Sequence, residues 1–249
     1  MHRIFITGAS TGIGQALAVY YARSGVVLGL VARREDLLTA LKQQLETAGA
    51  KCFAYATDVA DRLAMEAAIV DFTSHTKGVD LVIANAGIAW NYRDKDVSTK
   101  RFADMIDINV NGVIHTIIPF LKNVQQQNQG HFVAISSVAG YRGLPLGAYS
   151  ASKVAVRYLV ESLRLQFGTD TIHFSVMNPG YVDTPITKRH RFRMPFLISA
   201  EKAAKLIAQA VAKKRKNYIF PWQWNFVIPL LKCIPERFLR KTVNRVQDK

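Results

Sequence analysis

Tyr149 and Lys153 are four residues apart, so on a helix their side chains would stand on one face. A free tyrosine has a pKa of roughly 10, and a nearby lysine cation is expected to lower that pKa by favouring the phenolate. Ser137 lies twelve residues before Tyr149, and a serine hydroxyl can hold and polarise a carbonyl oxygen. The Tyr–Lys spacing alone is common on helices, so the interpretation depends on the three residues together. As a set, they could protonate the alkoxide that develops when a carbonyl is reduced.

A glycine-rich turn follows the first apolar run and precedes a helical pattern, where residues 7–14 read Thr-Gly-Ala-Ser-Thr-Gly-Ile-Gly. Glycines allow a tight turn, a close backbone approach to a pyrophosphate and close packing of helix on strand. The helix N-terminus adds free N–H groups for the phosphates. The turn therefore predicts a dinucleotide site that includes Gly8, Ser10, Thr11, Gly12, Ile13 and Gly14.

Two arginines, Arg33 and Arg34, follow the second apolar run. An acidic residue at this place would bind the ribose 2′-hydroxyl of NAD, whereas the forked guanidinium suits a 2′-phosphate. The sequence therefore favours NADP(H), with Arg33 as the first contact and Arg34 as the second. The alternative is that both arginines only begin a solvated helix.

Apolar runs alternate with helical patterns along most of the chain. We predict strands at 3–7, 26–31, 51–56, 79–84, 130–136, 171–177 and 217–220, and helices near 12–24, 35–48, 61–77, 98–127, 147–168 and 199–214. Ser199 is the expected N-cap of the last helix. Strict alternation with near-continuously apolar strands predicts an α/β fold with a doubly wound parallel sheet, a Rossmann fold of three α/β/α layers.

These motifs, in this order, resemble the short-chain dehydrogenase/reductase family of the compact, single-domain type. The glycine spacing G-x3-G-x-G, Ser137 and the Tyr149–Lys153 pair carry the resemblance, which spans about residues 3–220. It implies that Ser137, rather than Ser136, is the catalytic serine. In this family a basic residue often precedes the second glycine of the turn, whereas this chain has Thr11.

The resemblance supplies a fourth catalytic residue, Asn109, which would hold a water that relays protons to Lys153. Asn111 is the competing choice, and the family's spacing from the asparagine to Gly112 selects Asn109. Lys153 would also hold the nicotinamide ribose and, with Tyr149, belong to the cofactor site.

Further cofactor contacts follow from the same resemblance. Asp58 and Val59 would lie at the adenine, and Asp58 could also cap the helix at 61–77. The adenosine side would be lined by Asn85, Ala86 and Gly87, and the nicotinamide side by Pro179, Gly180, Val182 and Thr184.

The net charge of +15 is concentrated at one end of the chain. Residues 188–249 hold 16 lysines and arginines against three acidic residues, whereas residues 1–187 hold 17 against 15. A uniformly basic nucleic-acid binder would not be distributed in this way, and no recognition motif favours nucleic acid as a partner. We therefore divide the chain into a catalytic domain at 1–220 and a basic, aromatic extension at 221–249.

The extension joins two tryptophans to an apolar run that is too short to span a bilayer, which takes ~20 apolar residues. Basic residues flank it, including those at 213–216 and Arg237, Arg240, Lys241 and Arg245. Two interpretations stay open: a peripheral membrane contact through residues 213–249, or packing over the substrate entrance or a partner subunit. Residues 185–198 occupy the place of the family's substrate lid, with four basic residues that could attract an acidic substrate.

The expected function is NADPH-dependent interconversion of a carbonyl and a primary or secondary alcohol, on an apolar or lipid-like substrate. The alternative is a non-catalytic NADPH-binding sensor or scaffold with a membrane-associating tail. By resemblance, helices 98–127 and 147–168 would form a homodimer or homotetramer. No metal is expected, because the six histidines form no ligand pair. Two distant cysteines and the lack of a signal-peptide core indicate a cytoplasmic protein, with the membrane surface as a further possible location.

Overall fold

The chain folds around one parallel sheet of seven strands in the order β3-β2-β1-β4-β5-β6-β7. The structure, a computed structural model, describes residues 2–90, 98–144, 146–189 and 194–237. The strands are β1 Arg3–Thr7, β2 Val27–Ala32, β3 Lys51–Ala56, β4 Leu81–Ala84, β5 Gly130–Ile135, β6 Ile172–Pro179 and β7 Asn217–Phe220. Strand order reverses between β1 and β4, and ligands bind at such a reversal in open α/β sheets.

Helices cover both faces of the sheet. They are α1 Gly12–Tyr21, α2 Glu35–Thr47, α3 Arg62–Thr76, α4 Thr99–Ile106, α5 Gly112–Gln126, α6 Ala148–Phe167, α7 Ala200–Ala212 and α8 Trp224–Cys233. One apolar core lies under α1, α2 and α7, with Leu17, Leu38 and Ile207 at its centre, and a second lies under α3, α5 and α6, around Phe72 and Phe120. The predicted doubly wound Rossmann fold of three layers is confirmed.

The helix predicted over 98–127 is confirmed as one helical run, Thr99–Gln126, with a π-helical turn inside it. Ser98 caps α4 by accepting a hydrogen bond from the Arg101 N–H at 3.3 Å, and the π-helical turn at Asp107–Asn111 lies between α4 and α5. A π turn adds a residue without breaking the helix, which is why the apolar pattern alone does not reveal it. Such turns occur frequently at functional sites, and this one contains Asn109.

Two further expectations concern helix caps. Ser199 caps α7, as predicted, by accepting a hydrogen bond from the Lys202 N–H at 3.2 Å. Asp58 does not cap α3, so that expectation was wrong. Asp61 caps α3 by accepting from the Ala64 N–H at 3.0 Å, and Asp58 lies at the end of β3 instead.

The C-terminal extension begins with α8, which lies against β7 and the short 3-10 turn Val138–Tyr141. Trp224 and Ile228 are buried on its inner face. In the described part of the chain, no helix combines the length and the apolar character needed to cross a membrane. Residues 190–193 of the expected lid and the basic residues Arg240, Lys241 and Arg245 lie outside the described residues.

Candidate active site

A cavity of about 450 Å³ opens at the carboxyl ends of the strands, beside the reversal of strand order. Nearly all the predicted site residues line it, and only Gly14 and Asn109 stand behind its walls. The lining residues from the prediction are Gly8, Ser10, Thr11, Gly12, Ile13, Arg33, Arg34, Asp58, Val59, Asn85, Ala86, Gly87, Ser137, Tyr149, Lys153, Pro179, Gly180, Val182 and Thr184. The cavity therefore joins the arginines at one end to the Tyr–Lys pair at the other.

The glycine-rich turn needs its glycines for two different reasons. Gly8 and Gly12 adopt left-handed backbone conformations, with φ of +65° and +61°, which side chains with a Cβ rarely adopt. Gly14 has an ordinary backbone, but a Cβ there would overlap the Gly8 carbonyl oxygen and the Asn85 side chain. Gly14 thus lets α1 pack against the end of β1, and its absence from the cavity wall agrees with that packing role.

Asn85 ties the end of β4 to the same turn. Its side-chain amide donates hydrogen bonds to the carbonyls of Thr7 and Gly8, at 3.0 and 3.2 Å. Its backbone N–H donates to the Thr7 hydroxyl at 3.2 Å. These bonds hold the two strand ends that flank the reversal in one fixed arrangement.

The two arginines occupy different positions at the far end of the cavity. The Arg34 guanidinium donates to the hydroxyls of Ser10 and Thr11, at 3.3 and 3.1 Å, so it lies directly over the glycine-rich turn. Arg33 reaches across to the Asp58 carboxylate at 3.5 Å, and 61% of its side chain is exposed. Arg34 thus places a cation beside Thr11, where the family often has a basic residue. Both guanidinium groups face the cavity, where either could bind an anion.

Ser136 and Ser137 follow β5 and have different partners. The Ser136 hydroxyl donates to the Lys153 carbonyl at 2.8 Å, which fixes the start of α6 on the sheet. The Ser137 hydroxyl accepts from the Ala139 N–H at 3.1 Å and lies at the cavity wall. Both serines line the cavity, and the Ser137 hydroxyl also donates to the Pro179 carbonyl at 3.4 Å.

Tyr149 and Lys153 lie on the first turns of α6, with the Lys153 ammonium 5.7 Å from the centre of the Tyr149 ring. The ammonium donates to the Ile135 carbonyl at 2.9 Å. Burial lowers the pKa of Lys153 to about 8. Burial also raises the pKa of Tyr149, against the opposing effect of a hydrogen bond with the Ser137 hydroxyl.

Burial therefore outweighs the lowering of the Tyr149 pKa that Lys153 was expected to cause. Desolvation penalises the phenolate, and Tyr181 acts in the same direction. Tyr149 is thus held in its protonated form at neutral pH, which is the form that can donate a proton.

Asn109 is fully buried in the π-helical turn and joins three parts of the chain. Its carbonyl oxygen accepts from the Ile88 N–H at 2.7 Å, and its amide donates to the Ile88 carbonyl at 2.9 Å. The amide also donates to the Ser152 hydroxyl at 3.0 Å, next to Lys153. A Cβ on Gly87 would lie 3.2 Å from the Asn109 carbonyl oxygen and 3.4 Å from the Lys153 ammonium. Both groups therefore lie close to Gly87, which lines the cavity.

The segment after β6 closes the catalytic end of the cavity. Val182 forms a β-bridge with Ile198. The Thr187 hydroxyl accepts from the Thr184 N–H at 2.9 Å and donates to the Val182 carbonyl at 2.6 Å. The backbone that carries Val182 and Thr184 is therefore fixed by its own segment.

Trp224 of α8 supports this segment from outside, a contact that was not predicted from the sequence. The Trp224 ring lies 5.8 Å from Tyr181 and 6.1 Å from Phe196, between ring centres. Its indole nitrogen lies so close to Gly180 that a Cβ at that position would overlap it. These contacts join residues more than 25 positions apart, and no local pattern predicts such pairs.

Across the described ranges, no group of three or more His, Cys, Asp or Glu side chains is arranged to hold a metal ion. Cys52 is buried and Cys233 is exposed, and both are free thiols.

Comparisons with known proteins agree with this arrangement. The family profile described as short chain dehydrogenase matches residues 2–194. An uncharacterized oxidoreductase of Myxococcus xanthus is 32% identical over 243 residues, which cover 97% of this chain and 96% of that protein. A second uncharacterized oxidoreductase, from Listeria innocua, is 34% identical over 221 residues and covers 84% of this chain and 89% of its own length.

Solved structures share the fold over most of its length. A short chain dehydrogenase/reductase from Burkholderia phymatum in complex with NAD superposes with a TM-score of 0.83 at 26% identity, covering 92% of each chain. An alcohol dehydrogenase from Thermococcus sibiricus complexed with 5-hydroxy-NADP has a TM-score of 0.78 at 28% identity, covering 88% of this chain and 95% of its own. The match in sequence, fold and order of motifs shows that the chain belongs to the short-chain dehydrogenase family of oxidoreductases.

Proposed function

We propose that the protein uses NADP(H) to interconvert a carbonyl and an alcohol, on a substrate with an apolar or lipid-like body. One observation carries the proposal: a single cavity connects Arg33 and Arg34 with Ser137, Tyr149 and Lys153. NADP(H) is a long ligand with a 2′-phosphate at its adenosine end, a pyrophosphate in its middle and the reactive nicotinamide at its other end, so it fits a cavity with cations at one end and a proton donor at the other.

The residues at the arginine end fit such a ligand. Gly8 and Gly12 carry no side chain that would keep a phosphate away from the turn, and α1 begins at Gly12 with N–H groups that no side chain caps. Arg34 over the turn and the exposed Arg33 are suited to a further phosphate. An enzyme that prefers NAD usually has an acidic residue at the end of β2, which binds the 2′-hydroxyl of the adenosine ribose. Residues 31–34 of this chain are Val-Ala-Arg-Arg and include no acidic residue.

At the other end, bound NADP(H) would supply or accept the hydride, and the chain's own residues would manage the oxygen and its proton. Ser137 would hold the substrate oxygen with its hydroxyl. Tyr149, kept protonated by burial, would donate the proton to that oxygen during reduction. The buried Lys153 ammonium would hold the ribose hydroxyls and stabilise the phenolate after the proton has left.

The preference for NADP(H) rests on the arginines, because the structural relatives are divided. The Thermococcus sibiricus enzyme was solved with 5-hydroxy-NADP, whereas the Burkholderia phymatum enzyme was solved with NAD. The proposed apolar substrate rests on the aromatic surroundings of the catalytic end, where Tyr181, Phe196 and Trp224 pack together.

The test is to mix the purified protein with NADPH or NADH and to follow the nicotinamide absorbance. The carbonyl panel should run from small polar ketones to long-chain and ring carbonyls. We expect turnover with NADPH on the apolar members. Turnover with NADH alone would contradict the assigned role of the arginines. Tight NADPH binding without turnover of any carbonyl would favour a non-catalytic NADPH sensor.

A further inference from the structure

The outer face of α8 and the turn before it carry exposed apolar side chains. Phe226 and Leu230 are 66% and 68% exposed and, being four residues apart, lie on one side of the helix. Trp222, in the turn before α8, is 66% exposed and packs edge-to-face on Phe226, with 5.9 Å between ring centres. Trp224 and Ile228 are only 6% and 5% exposed and face the domain. We call the surface formed by Trp222, Phe226 and Leu230 the tail face.

The tail face borders a second apolar surface beside the cavity. Phe196 and Leu197 are 41% and 49% exposed. Phe196 packs edge-to-face on Trp224, whose helix carries the tail face on its other side. Single exposed apolar side chains are common on proteins, but neighbouring ones on adjacent segments are typical of an interaction surface.

Cationic side chains gather at the C-terminal end of α8, around the ring of Tyr141. The Arg157 guanidinium lies 4.3 Å from the centre of that ring, and the Lys232 ammonium lies 5.6 Å from it. Arg142 donates hydrogen bonds to the carbonyls of Lys232 and Ile234, at 3.4 and 3.0 Å. The contacts described for these three cations are with aromatic rings and carbonyl oxygens, and neither kind of partner carries a negative charge.

The end of the basic run at 213–216 lies close to the same ring. The Tyr141 hydroxyl exchanges hydrogen bonds with the Asn217 side chain, at 3.2 and 2.9 Å, and the exposed Lys216 comes directly before Asn217. Arg164 of α6 donates to the Lys216 carbonyl at 3.3 Å and adds a further cation. Lys214 lies away from this ring, in a separate cavity with His131 and His173. We call Arg142, Arg157, Arg164, Lys216 and Lys232 the basic cluster.

We propose that the tail face and the basic cluster dock the protein on an anionic lipid surface. Tryptophan, phenylalanine and leucine on a short helix and the turn before it, with lysine and arginine beside them, suit the boundary between headgroups and acyl chains. Anionic headgroups attract such cations within about a Debye length of the surface. A second copy of the chain would bring two basic clusters together, which favours an anionic occupant over self-association.

This inference goes beyond the proposed function, because docking requires no turnover. The two can be tested separately. If both hold, Phe196 and Leu197 would bring the catalytic end of the cavity close to the lipid, so an apolar carbonyl could enter from the membrane.

The experiment uses the full-length protein in flotation with vesicles of phosphatidylcholine alone or of phosphatidylcholine with phosphatidylserine. We expect binding to the vesicles that contain phosphatidylserine, weakened by salt. Leu230→Ser and Phe226→Ser should each weaken that binding by about fivefold or more, because each removes a large apolar side chain from the lipid boundary. The matched control is Leu63→Ser on α3, since Leu63 is 65% exposed and lies outside the tail face.

A second readout is the tryptophan emission, which should shift to shorter wavelength when vesicles that contain phosphatidylserine are added. Trp222→Phe keeps the apolar surface but should remove most of that shift, since Trp222 is exposed, Trp224 is buried, and the partly buried Trp90 donates to the Arg101 carbonyl, outside the tail face. NADPH binding should be equal in all variants, which establishes that they are folded.

Three results would overturn the proposal. The first is the absence of binding to the vesicles that contain phosphatidylserine, and the second is an equal loss of binding in Leu63→Ser. The third is light scattering that shows a wild-type oligomer which Leu230→Ser dissociates, because a second copy would then cover the tail face.

Discussion

The side-chain amide of Asn109 donates a hydrogen bond to the hydroxyl of Ser152 at 3.0 Å, and so connects the π-helical turn to the helix that carries Tyr149 and Lys153. Ser152 is fully buried, and its hydroxyl donates a hydrogen bond to the backbone carbonyl of Tyr149 at 2.8 Å. The position of the catalytic pair along α6 is therefore tied to a turn some forty residues earlier.

The Asn109 link predicts a difference between two alanine variants. Asn109→Ala leaves the buried N–H and carbonyl of Ile88 without these partners and should cost about 2–3 kcal/mol of unfolding free energy. Ser152→Ala removes one bond and should cost about 1 kcal/mol. Urea unfolding measures both. Equal stability of Asn109→Ala and the wild type would contradict the structural role.

Tyr149→Phe tests the proton donor. The substitution removes only the hydroxyl, and general acid catalysis contributes roughly 100-fold or more to such reactions. We expect kcat to fall by at least that factor while the Kd for NADPH stays within about twofold, since the ring remains in place. Tyr158→Phe on the exposed side of α6 is the control and should be as active as the wild type. Substantial turnover by Tyr149→Phe would refute the assignment.

Arg33 and Arg34 are expected to select the phosphorylated cofactor. Charge-assisted hydrogen bonds to a phosphate are strong, so Arg34→Ala and Arg33→Ala should each raise KM for NADPH by about tenfold or more. KM for NADH should change little. Arg62→Ala is the control, because Arg62 is similarly exposed, at 59%, but pairs with Glu66 on α3. A parallel rise in KM for both cofactors would show that the arginines act on a shared part of the ligand.

His131 predicts an acid-sensitive stability. Burial lowers its pKa to about 3, and the nearby His173 and Lys214 act in the same direction. A histidine with a lowered pKa contributes its full stability above the unfolded value near 6.5 and loses it as pH falls towards 3. The loss should be about 2 kcal/mol between pH 6.5 and 5, measured by urea unfolding.

The control for this prediction is His131→Gln, which should have a flatter pH profile over the same window. The Arg3–Asp80 ion pair does not interfere there. The hydrogen bonds from Arg3 hold the pKa of Asp80 below its usual range, so the pair weakens only at lower pH. An unchanged slope in His131→Gln would assign the acid sensitivity to another group.

We propose that the protein assembles as a homodimer or homotetramer through α5 and α6. Ile118, Tyr158 and Leu165 on these helices are 42%, 58% and 81% exposed, which leaves apolar surface for a partner. Light scattering should give two or four times the chain mass of 27.8 kDa. Tyr158→Glu should reduce that mass to the monomer, whereas Val70→Glu on α3 should not. A monomeric wild type would contradict the assembly.

The sequence predicted those parts of the molecule that depend on local patterns. The apolar runs gave every strand within two residues at each end, and the glycine spacing gave the turn in which Gly8 and Gly12 are left-handed. The spacing of Tyr149 and Lys153 was sufficient to predict that their side chains lie close together, because both residues are on one helix. In each case the deciding interaction joins residues that are close in sequence.

The features that the sequence did not predict depend on distant contacts or on burial. The π turn around Asn109 keeps the helical apolar pattern, so the prediction of a helix over 98–127 did not include it. Trp224 contacts Gly180 because β7, which precedes α8, lies beside β6 in the sheet. The raised pKa of Tyr149 follows from how completely the folded chain excludes water, which a spacing rule does not describe.

Trp224 belongs to a segment, α8, whose sequence could change without any change in the catalytic and cofactor-binding residues. The family profile ends at residue 194, and α8 lies beyond it. The Trp224 indole rests on Gly180, where no side chain fits, and so supports the cavity wall that Gly180 lines. Exchanging α8 for another sequence would reshape that wall while the glycine turn, the arginines and the Tyr–Lys pair stay as they are. New substrates could thus be acquired by replacing one terminal segment of an intact catalyst.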